Sequence, residues 1–583
     1  MSILKKLVCV AGCGLSLFAV ETPTWVNRSN ENAQVLLRVL ARFAPEAAGR
    51  YGVAGLDENI VDLTAGVDER TRAAMKEARQ ELEKRLATEK DPLVAQDLQI
   101  LIDAANKQIH GSEVSERLLI PYTNASQLVY NGLKALLDDQ VAESRKPASV
   151  TRLRKYTGLE KGYTPIAELA EQRSRERLAR PGLLGPPRLE VENDLKTSSF
   201  FVNGIGILLE KNKIKGYEEG FAKLKQQIGA YDDFVRKEIL PRSRTDFRLP
   251  AELYAVSFEN FGIDMPPAEL AALARRTFKE VQAEMQTIAT EVAKNRKLAS
   301  SDYRNVIREL KKDQFTVDTI LPRYRSRLSE IEAIIRREHL VTLPDRPAKI
   351  RLASEAESAA IPAPHMQPPP LINNRGQVGE FVLPIAMPGK AGEMEKFDDF
   401  TFDAATWSLT AHEARPGHEL QFDAMVERGV SIARALFAFN STNVEGWGLY
   451  SEYIMRPYMP LEARLVSLQE LLLRVGRAFL DPELQMGKIT PEEARRVLEE
   501  DEVQSPAMAK SELERYTFRM PGQAPSYFYG YTRLRQLRAD VEKGLGDKKL
   551  DVQRYHDFIL SQGLLPPAML RKAVMAEFVP QAN

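Results

Sequence analysis

The chain has 583 residues, 44% hydrophobic and 28% charged, with 81 basic side chains against 81 acidic ones. That length allows about three or four compact domains, or one large body wrapped around a cleft. The balanced charge excludes a global field that would draw in nucleic acid or an anionic membrane surface. The two cysteines are Cys9 and Cys13. Beyond them neither a disulfide nor a cysteine-ligated metal is available, so any transition metal must be held by His, Asp and Glu.

In chain order, Met-Ser-Ile-Leu-Lys-Lys precedes a largely apolar run from Leu7 to Val20. Basic then apolar is the order of a secretory signal, and the run is shorter than the roughly 20 residues of a membrane span. Residues 1–20 are therefore read as a signal peptide. Residues 21–583 are read as one helical domain, with its catalytic part at roughly 345–583. Val10-Ala-Gly-Cys13 also resembles a bacterial lipoprotein box that would anchor a lipid on Cys13. The apolar residues that continue past Cys13 favour cleavage near Ala19–Glu21 instead.

Amphipathic, charge-laced patterns predict helices from Asp68 to Ile109, broken at Asp91-Pro92, and from Pro266 to Leu298. Further helical patterns cover 460–480, 491–501 and 532–543. Strand signals are confined to Lys349–Ala353 and Glu380–Pro384, with the Pro-rich stretch Ile361–Pro370 between them read as a loop. The fold class expected is mainly α: a large helical body with a central cleft and one small β-sheet. The small sheet around Glu380–Pro384 is a candidate to hold an extended peptide by edge addition.

Six histidines occur, and two of them fall in His412-Glu-Ala-Arg-Pro-Gly-His418. The zinc helix motif His-Glu-x-x-His works because residues i and i+4 share a helical face. A spacing of six turns about 240° on a regular helix and would separate the rings. Pro416-Gly417 offers a remedy, since a two-residue bulge there would return His418 to the face of His412. Glu413 would then stand beside the metal as a general base.

A catalytic zinc site needs a third ligand and an open position. Glu445 and Glu452 lie seven residues apart among Trp447, Leu449 and Tyr450, where an unpaired carboxylate is costly. Glu445 is the candidate ligand, and Glu452 supports a ligand from behind or forms an ion pair. The segment Glu514–Tyr531 is rich in tyrosine and arginine, groups that can stabilise an oxyanion. Tyr527 is the first choice, with Tyr529 and Tyr531 as rivals. Arg515, Gln523 and Tyr529 are candidates for contact with substrate or support of the site.

Three motifs together, His412–His418, Glu445-Gly-Trp-Gly-Leu-Tyr-Ser-Glu452 and Pro521-Gly-Gln-Ala-Pro-Ser-Tyr527 with Gly530, resemble the DUF885 family, bacterial and often exported proteins regarded as metallopeptidase-like. The resemblance covers most of the chain after the signal. It implies a helical fold similar to the gluzincin peptidases, with one zinc ion on two histidines and a glutamate. The sequence departs from the family after Asp481, where a Gly-x-His element is common and this chain carries Gln485.

The function expected is an exported zinc metallopeptidase acting on short peptides, with no nucleic-acid partner and no stable membrane span. The alternatives are an amidase acting on a peptide-like metabolite and a non-catalytic, metal-stabilised binding protein. Retention of Glu413 argues against the last, because a structural site needs ligands but no base.

Overall fold

The computed structural model describes residues 23–389 and 393–582, so the signal read at 1–20 lies outside the described residues. The first described helix, Thr24–Phe43, packs with Val67–Leu86 and Pro92–Leu118 around Leu36, Leu82, Leu98 and Leu101. The break expected at Asp91-Pro92 is a helix start: the Asp91 carboxylate accepts the amide of Leu93 at 3.0 Å, and proline occupies the first helical position. A second core gathers Ala125–Leu137, Arg188–Lys211 and Glu218–Phe234 around Val129, Leu133, Phe201 and Ile205.

The largest core belongs to the second half of the chain. Helix Pro267–Arg296 lies along helix Leu461–Gln485. The latter is enclosed almost all round, and its Leu472, Val475 and Ala478 have no exposed surface. A helix buried on every side cannot be amphipathic in the usual way, so its polar groups Arg477 and Asp481 must find partners inside the protein. Residues 491–501 form an α-turn, Pro491–Arg496, followed by a π-turn, Val497–Asp501, and the helix expected over 532–543 begins earlier, at Pro525.

Lys349–Leu352 and Glu380–Leu383 are strands as expected, paired in parallel. The sheet holds a third strand, His365–Gln367, within the stretch read as a loop, and it pairs antiparallel to Glu380–Leu383. Prolines flank this strand at Pro364 and Pro368 but leave its own amides free to pair. The strand order limits the edge-addition idea. Glu380–Leu383 is the central strand and both its edges are taken, so within this sheet the outer edges belong to Lys349–Leu352 and His365–Gln367. Among the described residues no helix is long and apolar enough to cross a membrane.

Candidate metal centre

Helix Asp403–Glu413 is interrupted at Ala414, and a second helix, His418–Arg428, begins four residues later. The sequence suggested a bulge within one helix; the chain instead loops out through Ala414–Gly417 and resumes. The amide of Leu420 reaches the carbonyl of Ala414 at 3.4 Å, spanning six residues where an α-helix spans four. Two residues are therefore expelled, and His418 takes the place of an i+4 residue. A Cβ at Gly417 would lie 1.9 Å from the carbonyl oxygen of His412, so only glycine fits the inside of this turn.

The expelled loop is pinned on both sides. Arg415 is buried and donates to Glu419 Oε2 at 2.7 Å, to Glu332 Oε1 at 2.7 Å and to the carbonyl of Arg346 at 2.7 Å. The indole of Trp447 donates to the carbonyl of Pro416 at 2.9 Å.

The result brings His412, His418 and Glu445 together, with one ligand atom from each lying within 4.8 Å of the others. Glu445 Oε2 is 3.2 Å from His418 Nε2 and 3.6 Å from His412 Nε2. The two imidazoles stand nearly perpendicular, centroids 4.7 Å apart. Behind His412, Nδ1 faces Glu452 Oε1 at 2.7 Å, and the hydroxyl of Ser408 donates to the other oxygen. A carboxylate on Nδ1 keeps the proton there and leaves the Nε2 lone pair for a cation.

Helix Ser441–Met455 approaches closely enough because it carries glycine where side chains would collide. A Cβ on Gly448 would lie 2.7 Å from His412 Nε2. Two residues earlier, on the opposite side of the helix, Gly446 meets Gly530 of helix Pro525–Gly544, and a Cβ added at Gly530 would come within 1.9 Å of the Thr442 carbonyl oxygen. Tyr527 precedes Gly530 by three residues, so this crossing turns its ring towards the site. The ring is stacked 6.2 Å from that of His412. Arg477, bonded to both oxygens of buried Glu512 at 2.7 Å, sits 4.5 Å from the centre of the Tyr527 ring.

Burial and neighbouring charge give these groups distinct protonation preferences. Burial pushes the Glu445 carboxyl up, but its bonds to His412 and His418 reverse this and hold it below the usual carboxylate range. Burial also opposes a charge on His412, yet Glu445 and Glu452 push it up to about 9. Burial raises Glu413, and the adjacent imidazoles only partly offset it. Its Oε2 is buried without a hydrogen-bond partner, as is Nδ1 of His418. Burial and Glu445 raise the phenol of Tyr527, so it remains a neutral donor.

The remaining sequence candidates divide. Arg515 donates to Gln523 at 3.1 Å and to the hydroxyl of Tyr527 at 3.5 Å, so both residues stand behind Tyr527. Tyr529 is turned away and donates to Asp264, with Arg533 over its ring. Tyr531 accepts from Arg535 at 2.7 Å. Gln485 bridges the amide of Leu249 and the carbonyl of Tyr516, a structural connection inside the core. Ser408, Arg415 and Arg477 escaped the sequence reading. The one signal that could have found any of this is the Tyr-x-x-Gly spacing, which places Tyr527 and Gly530 on one helical face and Tyr529 off it.

The Gly446–Gly530 crossing yields a direct test. Gly530→Ala should destabilise the protein by about 1–3 kcal/mol through overpacking. Gly229→Ala, at a helical site with nothing within 4 Å of the new methyl, should stabilise it by about 0.5–1 kcal/mol. Denaturant unfolding of the two variants measures both, and a neutral Gly530→Ala would refute the backbone contact.

No curated protein matches the chain. Two solved structures share the fold: "the putative lipoprotein from Colwellia psychrerythraea", 17% identical with a TM-score of 0.75, covering 95% of this chain and 99% of that one; and "a putative lipoprotein of unknown function from Shewanella oneidensis", 18% identical with a TM-score of 0.71, covering 95% and 100%. The profile described as "Bacterial protein of unknown function (DUF885)" matches residues 45–574, nearly the whole chain, which therefore belongs to that family.

Proposed function

We propose that this protein is a zinc-dependent peptidase that hydrolyses short peptides. The observation that carries the reading is the convergence of His412, His418 and Glu445 beside a buried general-base candidate, Glu413, one of whose oxygens has no partner. The donor set fits zinc: two imidazoles and a carboxylate, with a carboxylate behind one imidazole. His412 and His418 through Nε2, and Glu445 through Oε2, would hold the ion. When bound, zinc supplies Lewis acidity and lowers the pKa of a coordinated water towards about 7.

The chain's own groups account for the proton movements. Glu413 accepts a proton from the water whose oxygen joins the acyl carbon. The phenol of Tyr527 donates to the oxygen on which negative charge develops, and Arg515 and Arg477 hold that phenol in place. As the C–N bond breaks, Glu413 hands its proton to the departing nitrogen. The second proton of the water passes from the new carboxylic acid to the amine, so the products are a carboxylate and an ammonium group, and the base returns to its starting state.

Substitution separates base from ligand. Glu413→Gln should reduce peptide hydrolysis by about 10²–10⁴-fold while zinc content and melting temperature stay near those of the parent. His418→Ala should lose zinc and activity together. A Glu413→Gln protein cleaving peptides at the parent rate would falsify the mechanism. Absence of any cleavage by a zinc-loaded parent across a peptide and amide panel would favour the binding-protein alternative.

Export belongs to the same proposal. It is supported by the basic-then-apolar start and by a sequence free of cysteine after residue 13, and it accords with the two solved structures being described as lipoproteins. Mass spectrometry of native protein should find a form lacking about the first 20 residues. An intact Met1 end would count against export, and a diacylglyceryl group on Cys13 would replace cleavage near Ala19 with anchoring.

A further inference from the structure

The cavity that opens onto Glu413, His418, Glu445 and Tyr527 has a volume of about 480 Å³. Ligand pockets run from roughly 300 to 1,000 Å³, so this one accommodates a side chain and the backbone around it, not a folded domain. Its apolar lining is Phe422, Leu436 and Val444 together with Met366, Pro369 and Leu371 in and just after the Pro-rich segment, and Met366 and Leu371 pack against the cluster that holds Phe422 and Val444. An apolar slot beside the reacting centre selects an apolar side chain next to the bond being cut.

One wall residue breaks this apolar pattern. Apart from the carboxylates and histidines, Arg50 is the one charged side chain lining the cavity. It is exposed, and among the described residues it has neither an ion-pair partner nor a hydrogen bond. Its backbone, in contrast, is fixed. Arg50 lies in the last turn of helix Pro45–Tyr51, whose Glu46 accepts the amide of Val61 at 2.8 Å and the hydroxyl of Tyr156 at 2.6 Å.

Immediately after it, the carbonyl of Tyr51 accepts the amide of Ile372 at 2.8 Å, and the carbonyl of Gly52 accepts Nδ2 of Asn373 at 3.1 Å. Gly52 has φ +106°, and a Cβ there would lie 1.7 Å from the Ile372 carbonyl oxygen. The arginine is thus mounted on the Pro-rich segment that walls the cavity, with its guanidinium left free.

Charge then orients a ligand. Glu413 and Glu445 in the cavity lining repel an anion, whereas a guanidinium matches a carboxylate through two parallel hydrogen bonds. On the peptidase reading above, we propose that Arg50 receives the terminal carboxylate of a short peptide whose last side chain is apolar and fills the slot. The bond cut is then the one preceding that residue, which makes the enzyme a carboxypeptidase or dipeptidase in type. Hydrolysis of that bond adds water across C–N and releases the apolar amino acid with a free amine.

The test uses the zinc-loaded mature protein and three peptides: Ala-Ala-Phe acid, its C-terminal amide, and Ala-Ala-Glu amide, which carries only a side-chain carboxylate. A charge-assisted pair predicts that kcat/KM for the acid exceeds that for the Phe amide by about 10–100-fold. In Arg50→Gln the acid-to-amide ratio should fall to near one, and Arg50→Lys should restore part of it. A ratio is insensitive to the fraction of folded enzyme, so poor folding cannot imitate the result. Equal rates for acid and amide in the parent, or a ratio unchanged by Arg50→Gln, would overturn the assignment. So would the Glu amide being the best substrate, which would place recognition at a side chain.

If the parent cleaves none of the three, the peptidase reading fails on its own. Calorimetric binding of Ala-Ala-Phe acid against its amide, in parent and in Arg50→Gln, then decides the role of Arg50. An acid preference lost in the variant upholds carboxylate recognition, and no preference overturns it.

Discussion

Glu452 is wholly buried, and both of its oxygens are engaged, one by Nδ1 of His412 and the other by the hydroxyl of Ser408. A carboxylate in that position is tolerable only because these partners are fixed, and in being fixed they orient the imidazole. Much of the site's geometry follows from bringing helix Ser441–Met455 this close to helix Asp403–Glu413. Gly448 has to lack a side chain, and Trp447 comes into reach of the Pro416 carbonyl. Glu445 arrives two helical turns before Glu452, beside both imidazoles. The same helix meets Pro525–Gly544 at Gly446 and Gly530, which turns Tyr527 inward.

Around this centre the protein maintains a set of buried charge pairs. Arg415 with Glu419 shapes the expelled loop, and Arg477 with Glu512 backs the ring of Tyr527. Such pairs add little net stability compared with apolar packing, whereas breaking one leaves a stranded charge. Their evident effect here is positional: each holds a group that lines or supports the site. The first half of the chain contributes in the same way from a distance. Asp97, on helix Pro92–Leu118, bonds Arg434 and Ser431, and so anchors the segment that supplies Leu436 to the cavity wall. Arg50 comes from the short helix Pro45–Tyr51. The site is assembled in the second half, and residues more than 300 positions earlier complete its enclosure.

The parts legible in the sequence were those where residue type alone carries chemistry. His412, His418 and Glu445 stood out because histidines are scarce here and a buried carboxylate needs a reason. The mainly helical fold and the strand Lys349–Leu352 followed from periodicity, and Glu380–Leu383 from a short apolar run ended by proline. The form of the Pro416-Gly417 insertion did not, since a bulge and a helix break both restore the face and differ only in local hydrogen bonding. The strand His365–Gln367 is three residues long between prolines, too short for any alternation. Tyr529 stayed a rival until the glycine crossing fixed the rotation of its helix. Nothing local distinguishes Arg50 among 81 basic residues, because its significance lies in the Pro-rich segment it meets more than 300 positions later.

The central claim is that a metal sits on His412, His418 and Glu445. Anomalous diffraction at the zinc edge, from crystals of the mature protein purified without chelator, tests it most directly. One strong peak is expected, about 2.0–2.2 Å from Nε2 of both histidines and from a carboxylate oxygen of Glu445, with Glu413 nearby but outside bonding distance. Zinc bound at other residues, or no zinc in crystals grown with an excess of the metal, would contradict it.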